Sequence, residues 1–262
     1  MSGFETISID TDPRGVATLL LNRPEKHNAL SALMIQEITQ AAEQLGADDA
    51  VRVVILKGAG KSFCAGGDLG WMQDQMAADP QTRAREAKAL AMMLNALNTL
   101  PKPLIGCLEG NAFGGGVGMA SVCDVALGID SLKMGLTEVR LGLIPATIGP
   151  YVIARMGEAN ARRVFMSGRL FEADEAKDLG LLAKIVAPED MEAALEAEIK
   201  PYMAAAPEAV ARAKRLALDL GGRITEDMID HSIAELVACW ESETAKEGVS
   251  AFFDKRKAQW VS

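Results

Sequence analysis

Apolar residues change their spacing repeatedly along this chain, and each spacing predicts a strand or a helix. Residues 4–10 alternate apolar and polar positions and predict a strand. Asp12-Pro13-Arg14-Gly15 is a turn signal, and residues 16–21 form a second strand, so the two are expected to pair as a hairpin. Ser31 is placed to cap a helix running to about Leu45, with Leu33, Ile38, Ala41 and Leu45 near one face. Residues 51–56, rich in β-branched residues, and residues 104–108 are short, mainly apolar runs of the kind buried on both faces of a sheet, and residues 122–127 continue the series. A short helix is predicted over 69–76 and a long one from Asp79-Pro80 to about Leu100, closed by Pro101-Lys102-Pro103. This order of strands and helices implies a parallel sheet with crossover connections. After Thr137 helical spacing dominates, over 160–166, 172–179, 191–204, 207–220, 225–240 and 241–259, with Pro201 and Pro207 read as helix breakers. The chain thus divides into a mixed α/β core, residues 1–190, and a helical part, residues 191–262.

Two glycine-rich segments each follow a predicted buried strand. One is Ala65-Gly66-Gly67-Asp68, at the end of a loop over 57–67. The other is Gly114-Gly115-Gly116, followed by a small apolar run, 117–122, that reads as a short buried helix. In a parallel sheet both would emerge at the same edge, where ligands bind. A glycine lets a ligand approach the backbone, and a helix opening there aims free N–H groups forward. Such donors suit a carbonyl oxygen gaining negative charge or a phosphate; a plain tight turn also explains the triplet. A dinucleotide-binding reading is poorer, because no G-x-G-x-x-G turn follows the first strand, and a P-loop reading fails, because no G-K-[ST] closes either segment.

Charge narrows the partners. A net charge of -9 disfavours nucleic acid and leaves an anionic ligand needing a local basic patch. No apolar run approaches the roughly 20 residues of a membrane span. The N-terminal residues lack an apolar signal core, so a cytoplasmic protein is expected. Cys64, Cys107, Cys123 and Cys239 show no paired spacing and read as free thiols. The two histidines, His27 and His231, lie outside the glycine-rich motifs, which argues against a Cys/His nucleophile, and no metal-ligand spacing is present.

Taken together, these motifs resemble the crotonase family, also called the enoyl-CoA hydratase/isomerase superfamily. The resemblance runs nearly end to end. It covers Leu21-Asn22-Arg23-Pro24 with Asn28-Ala29-Leu30, residues 63–69, 109–124 and 135–149, and Glu247-Gly248 with Ala251-Phe252-Phe253-Asp254-Lys255-Arg256. It implies an α/β fold, a spiral of ββα turns with a C-terminal helical trimerisation region, assembled as a homotrimer or as a hexameric dimer of trimers. It implies an acyl-CoA thioester as substrate, no separate cofactor, and two backbone N–H groups that stabilise an enolate oxygen.

Residue by residue, the resemblance puts those donors at Gly67 and Gly115, and one catalytic glutamate at Glu138. The second glutamate of typical hydratases would fall three residues after Gly115, where this chain has Gly118. Coenzyme A contacts are implied at Lys26 and His27, at Cys64, Ala65 and Gly66, and at Phe252 and Lys255, the last two from a neighbouring subunit in an oligomer. Residues 136–153, with Gly114–Met119 and Ala161-Arg162-Arg163, are most similar to bacterial 3-methylglutaconyl-CoA and isohexenylglutaconyl-CoA hydratases. A substrate carrying its own carboxylate gives Gly118 a rationale, because a second glutamate would repel it; Arg140 and Arg155 are counter-ion candidates by charge. With one glutamate, two reactions remain: hydration of a 2-enoyl thioester, or isomerisation between 3-enoyl and 2-enoyl thioesters. A non-catalytic acyl-CoA binder or scaffold of the same fold is the alternative from another class.

Overall fold

The computed structural model describes residues 3–261. Six strands form the main sheet: β1 (Ile7–Thr11), β2 (Val16–Leu21), β3 (Val53–Gly58), β5 (Leu104–Leu108), β7 (Val125–Ile129) and β10 (Lys184–Val186), in the order β1-β2-β3-β5-β7-β10. The first pair is the antiparallel hairpin; every later pair is parallel. A smaller sheet holds β4 (Ser62–Cys64), β6 (Asn111–Phe113), β8 (Lys133–Gly135) and β9 (Leu170–Glu172), in that order. The chain visits the main sheet, then the small one, then a helix. Thus β3 leads to β4, β5 to β6, and β7 to β8, with β2 leading to a bridge between Leu30 and Gly67. Each visit is one ββα turn of a spiral.

The helices between the turns are α1 (Ala32–Ala47), α2 (Leu69–Ala77), α3 (Pro80–Asn98) and α4 (Gly115–Val122). After β8 come α5 (Gly149–Met156), α6 (Glu158–Phe165), α7 (Ala173–Asp178), α8 (Met191–Met203), α9 (Pro207–Leu220), α10 (Glu226–Glu241) and α11 (Glu243–Phe253). None is long and apolar enough to cross a membrane. The central strands of the main sheet are buried on both faces. Val54 and Leu56 of β3 join the large cluster containing α1, α3 and α4, whereas Val53 and Ile55 pack with Met191 and Ile199 of α8. That two-sided burial is why these strands read as unbroken apolar runs.

Several expectations change. The loop over 57–67 contains β4, and the other strands of the small sheet, also three residues long, are too short to show alternation. Leu33 faces outward at 40% exposure, while Met34, Ile35, Ile38, Ala41, Ala42 and Leu45 are buried. Pro201 lies within the last turn of α8 and does not end it. The single helix expected over 241–259 is divided: the Ser242 side chain accepts from the Ala245 N–H at 3.1 Å and starts α11, which stops at Phe253. Helix α5, not anticipated, begins at Gly149-Pro150, where proline suits a first turn.

One buried carboxylate ties α1 to the start of β1. Glu37 accepts from the backbone N–H groups of Glu5 (2.7 Å) and Thr6 (2.8 Å) and from the Thr6 hydroxyl. Burial alone would raise its pKa; the Thr6 hydroxyl and the N–H groups of Glu5, Thr6 and Ile7 reverse this and hold it below the ordinary value of 4.5. A depressed carboxylate contributes stability that is complete above 4.5 and is lost as pH falls through the native value. Glu37→Gln, which turns an amide donor toward these donors, is expected to cost about 1–3 kcal/mol at pH 7. The deficit should shrink below pH 4, as read by thermal melts across pH.

Candidate active site

The two glycine-rich segments meet. Leu30 N–H donates to the Gly66 carbonyl at 2.7 Å and Asp68 N–H donates to the Leu30 carbonyl at 3.0 Å. This bracketing turns the N–H of Gly67 away from Leu30, since successive backbone groups of an extended strand alternate. On the other side of the strand Gly66, at φ +93°, lies against the carbonyl of Phe113, so that a Cβ would fall 3.1 Å from it. Gly115 opens α4, and its N–H therefore has no partner within the helix. The Gly67 and Gly115 amides thus belong to two segments in close contact, a Cβ on Gly115 falling 3.9 Å from Gly66 Cα.

Each glycine of the triplet answers a separate close approach. A Cβ on Gly114 would lie 3.0 Å from Glu138 Oε1, and its φ of +46° is itself a conformation that side chains rarely adopt. A Cβ on Gly115 would lie 2.6 Å from Leu30 Cδ1, and one on Gly116 2.5 Å from the Cys64 carbonyl oxygen. The triplet packs α4 against β4 and against Glu138 at once.

Glu138 begins a 3-10 turn, Glu138–Leu141, which follows β8. Its Oε2 atom is buried and has no hydrogen-bond partner; among the described residues the only other such side-chain atom is Trp71 Nε1. Burial pushes the Glu138 pKa up to about 7, with a backbone hydrogen bond opposing it weakly. A carboxyl poised near neutrality with a free oxygen is suited to take up and return a proton. The turn is held from behind by α11: Gly248 lies where a Cβ would be 2.5 Å from the Leu141 carbonyl, and Gly142 where one would be 2.7 Å from the Thr244 carbonyl. Leu143, Trp240, Ala245 and Val249 form the small core between them.

The model of the enoyl-CoA hydratase/isomerase family matches residues 11–262. The chain belongs to that family. The crotonyl-CoA hydratase of Syntrophomonas wolfei is 31% identical, across 99% of each chain. An enoyl-CoA hydratase structure from Shewanella pealeana superposes with a TM-score of 0.81 at 35% identity, covering 98% of this chain and 96% of that one. AtuE of Pseudomonas aeruginosa has the same TM-score at 32% identity, covering 98% of this chain and 100% of its own.

Within this hydratase/isomerase-family chain, the sequence candidates separate into groups. Lys26 and His27 sit in an exposed 3-10 turn tied to the first glycine segment: Ala65 N–H donates to the His27 carbonyl at 3.0 Å, and His27 Nδ1 lies 3.1 Å from Ser62 Oγ. Residues 26–27 and 64–66 therefore form one edge. Phe252 and Lys255 lie at the end of α11, and no hydrogen bond or ring contact joins them to that edge among the described residues. Arg256 is engaged by Glu247 at 2.7 Å. Arg155 donates from Nε to the Ser121 carbonyl at 2.9 Å and also to the Cys123 carbonyl, so it serves the end of α4 rather than a substrate carboxylate. Burial holds the Cys64, Cys107 and Cys123 thiols up at about 12, which removes their thiolate character.

Three residues organise the edge; Arg23 and Asn28 lie in segments that carry the family resemblance, but neither they nor Trp71 received a role from the sequence. Arg23 donates to the Ala29 carbonyl at 2.9 Å and pairs with Asp68 at 3.0 Å, and Asp68 caps α2. Fully buried Asn28 donates to the carbonyls of Ala59 and Ser62, both at 2.8 Å. The Trp71 ring packs over Gly67, with Cε3 3.6 Å from where a Cβ would stand. The long-range partners of Arg23 and Asn28 were not visible in the sequence. Gly114→Ala is expected to lose about 1–3 kcal/mol of stability through the strained φ. A crystal structure of this variant should show the Glu138 carboxyl displaced from α4.

Proposed function

We propose that the chain is an enoyl-CoA hydratase that adds water across a 2-enoyl thioester, with Glu138 as the proton carrier and the Gly67 and Gly115 N–H groups as the oxyanion donors. The observation that carries this reading is the buried, unpartnered Oε2 of a carboxyl raised to about 7, set directly against the opening of α4. In the reaction, ionised Glu138 takes a proton from water as the water oxygen bonds to C3. The C2–C3 π electrons move toward the thioester, whose oxygen gains negative charge beside the two amides. The Glu138 carboxyl then delivers the proton to C2, and the carbonyl re-forms. Losing one such oxyanion donor typically costs about 2.7–4 kcal/mol in the transition state.

The favoured substrate is 3-methylglutaconyl-CoA. The reading rests on the resemblance drawn from the sequence of residues 136–153 and of Gly114–Met119, and Arg140, two residues beyond Glu138 and exposed, remains the counter-ion candidate. Lys26, His27 and the 64–66 backbone would meet the coenzyme A moiety, with Phe252 and Lys255 contributed across a subunit boundary. The second reading, isomerisation of 3-enoyl thioesters, is favoured by the presence of a single carboxyl, since one base can carry a proton between C4 and C2.

Glu138→Gln should lower kcat by about 10²–10⁴-fold while leaving product binding nearly unchanged. In the parent, kcat/KM should rise with pH through about 7, because the free enzyme must be ionised to accept the proton from water. A panel of crotonyl-, 3-methylglutaconyl- and 3-enoyl-CoA, scored by mass spectrometry for added water or an isomer, checks the reaction and the acyl group separately. Full activity of Glu138→Gln would overturn the mechanism; hydration of crotonyl-CoA alone would remove the branched substrate only. A homotrimer or hexamer is expected in ultracentrifugation at micromolar concentration, and a clean monomer would contradict the subunit-boundary contacts.

A further inference from the structure

Position 118 is closed. Gly118 lies in α4 one turn beyond Gly114, whose carbonyl accepts its N–H at 3.1 Å, so the two positions share a face of the helix. A Cβ at Gly118 would fall 2.7 Å from Ile148 Cγ2, 3.0 Å from Ile148 Cβ and 3.3 Å from Leu94 Cδ1. Ile148 is 3% exposed and sits at the cap of α5, in the same cluster as Leu94. The three atoms nearest to that Cβ are all hydrocarbon. α4 and α5 pack extensively, and the branched side chain of Ile148 is the piece that enters the notch left by the glycine.

We propose that Ile148 is a specificity-determining residue. By filling the notch at Gly118 it keeps any second ionisable side chain off this face of α4 and restricts the site to acyl-CoA reactions that a single proton carrier can complete. Gly118 is thus one half of a packing pair, and its lack of a side chain follows from Ile148 rather than from repulsion of a substrate carboxylate. This inference rests on the reading of Glu138 as that carrier, but its packing half stands apart from turnover.

The pair predicts coupling that independent sites would not show. Gly118→Ala should lower the melting temperature clearly in the parent, because its methyl group collides with Ile148. In an Ile148→Ala background the same change should cost little or even stabilise, because the new methyl group enters the space that was vacated. Equal losses in both backgrounds would overturn the pair. A second measurement reads chemistry with crotonyl-CoA in a Glu138→Gln background, where hydration is expected to be nearly lost. Adding Gly118→Glu together with Ile148→Ala should restore at least about tenfold, with a new ionisation in the pH profile of kcat/KM. Adding Gly118→Glu with Ile148 retained should restore none. Equal behaviour of these two proteins, active or inactive, would overturn the gating role of Ile148. Should Glu138→Gln itself stay fully active, the proton-carrier reading fails, and the melting experiment alone still decides the packing pair.

Discussion

The rest of the site depends on one steric constraint: the backbone at the start of α4 must come closer to its neighbours than any side chain allows. Gly114 leaves room for the Glu138 carboxyl, Gly115 for Leu30, and Gly116 for the carbonyl of Cys64. Three consecutive residues thus bring a helix N-terminus, a strand end and a carboxyl from distant parts of the chain into one place. A methyl group at Gly116 would run into the Cys64 backbone, and one at Gly114 or Gly115 would displace the Glu138 carboxyl or the Leu30 side chain. The same device recurs behind Glu138, where Gly142 and Gly248 let α11 touch the backbone of the turn that carries it. The turn that carries the carboxyl is therefore held from two sides by close backbone contacts.

Polar satisfaction elsewhere gives that carboxyl its meaning. Glu37 is buried with donors on both oxygens, Asp68 is paired with Arg23 and caps a helix, and Arg155 is spent on two carbonyls. These are structural uses, and each lowers the cost of burying a polar group. Glu138 Oε2 has no such partner. Leaving a buried acceptor unmatched costs stability, and chains keep such groups where chemistry needs them. The contrast between Glu37, held below 4.5, and Glu138, raised to about 7, separates a carboxylate that holds the fold from one suited to moving protons.

The helical C-terminal part also does more than extend the chain. Met191 and Ile199 of α8 cover the outer face of the main sheet, Ile229 and Ile233 of α10 pack on Ala87 and Ala91 of α3, and α11 supports the Glu138 turn. The boundary expected at residue 190 falls in a 3-10 turn, Pro188–Asp190, after which these helices return to the core. The geometry of Glu138 is thus coupled to residues more than a hundred positions away.

Local pattern alone was enough to reveal the hairpin, the buried parallel strands, the capped α1 and α3, and both glycine-rich segments, because each is encoded in residues that are adjacent or a few positions apart. The carboxyl at 138 was legible only through resemblance; as a lone glutamate in a helical stretch, nothing in its neighbours distinguished it from a surface residue. Tertiary structure decided what pattern could not carry. Strands three residues long are defined by their partners, not by alternation, so β4, β6, β8 and β9 were invisible. Leu33 and Met34 are adjacent and both apolar, and which of them turns inward depends on what α1 packs against. Gly118 read as a missing side chain because the sequence does not display volume. Ile148 lies thirty residues away, and only the packing of α5 onto α4 shows that the space at Gly118 is already filled.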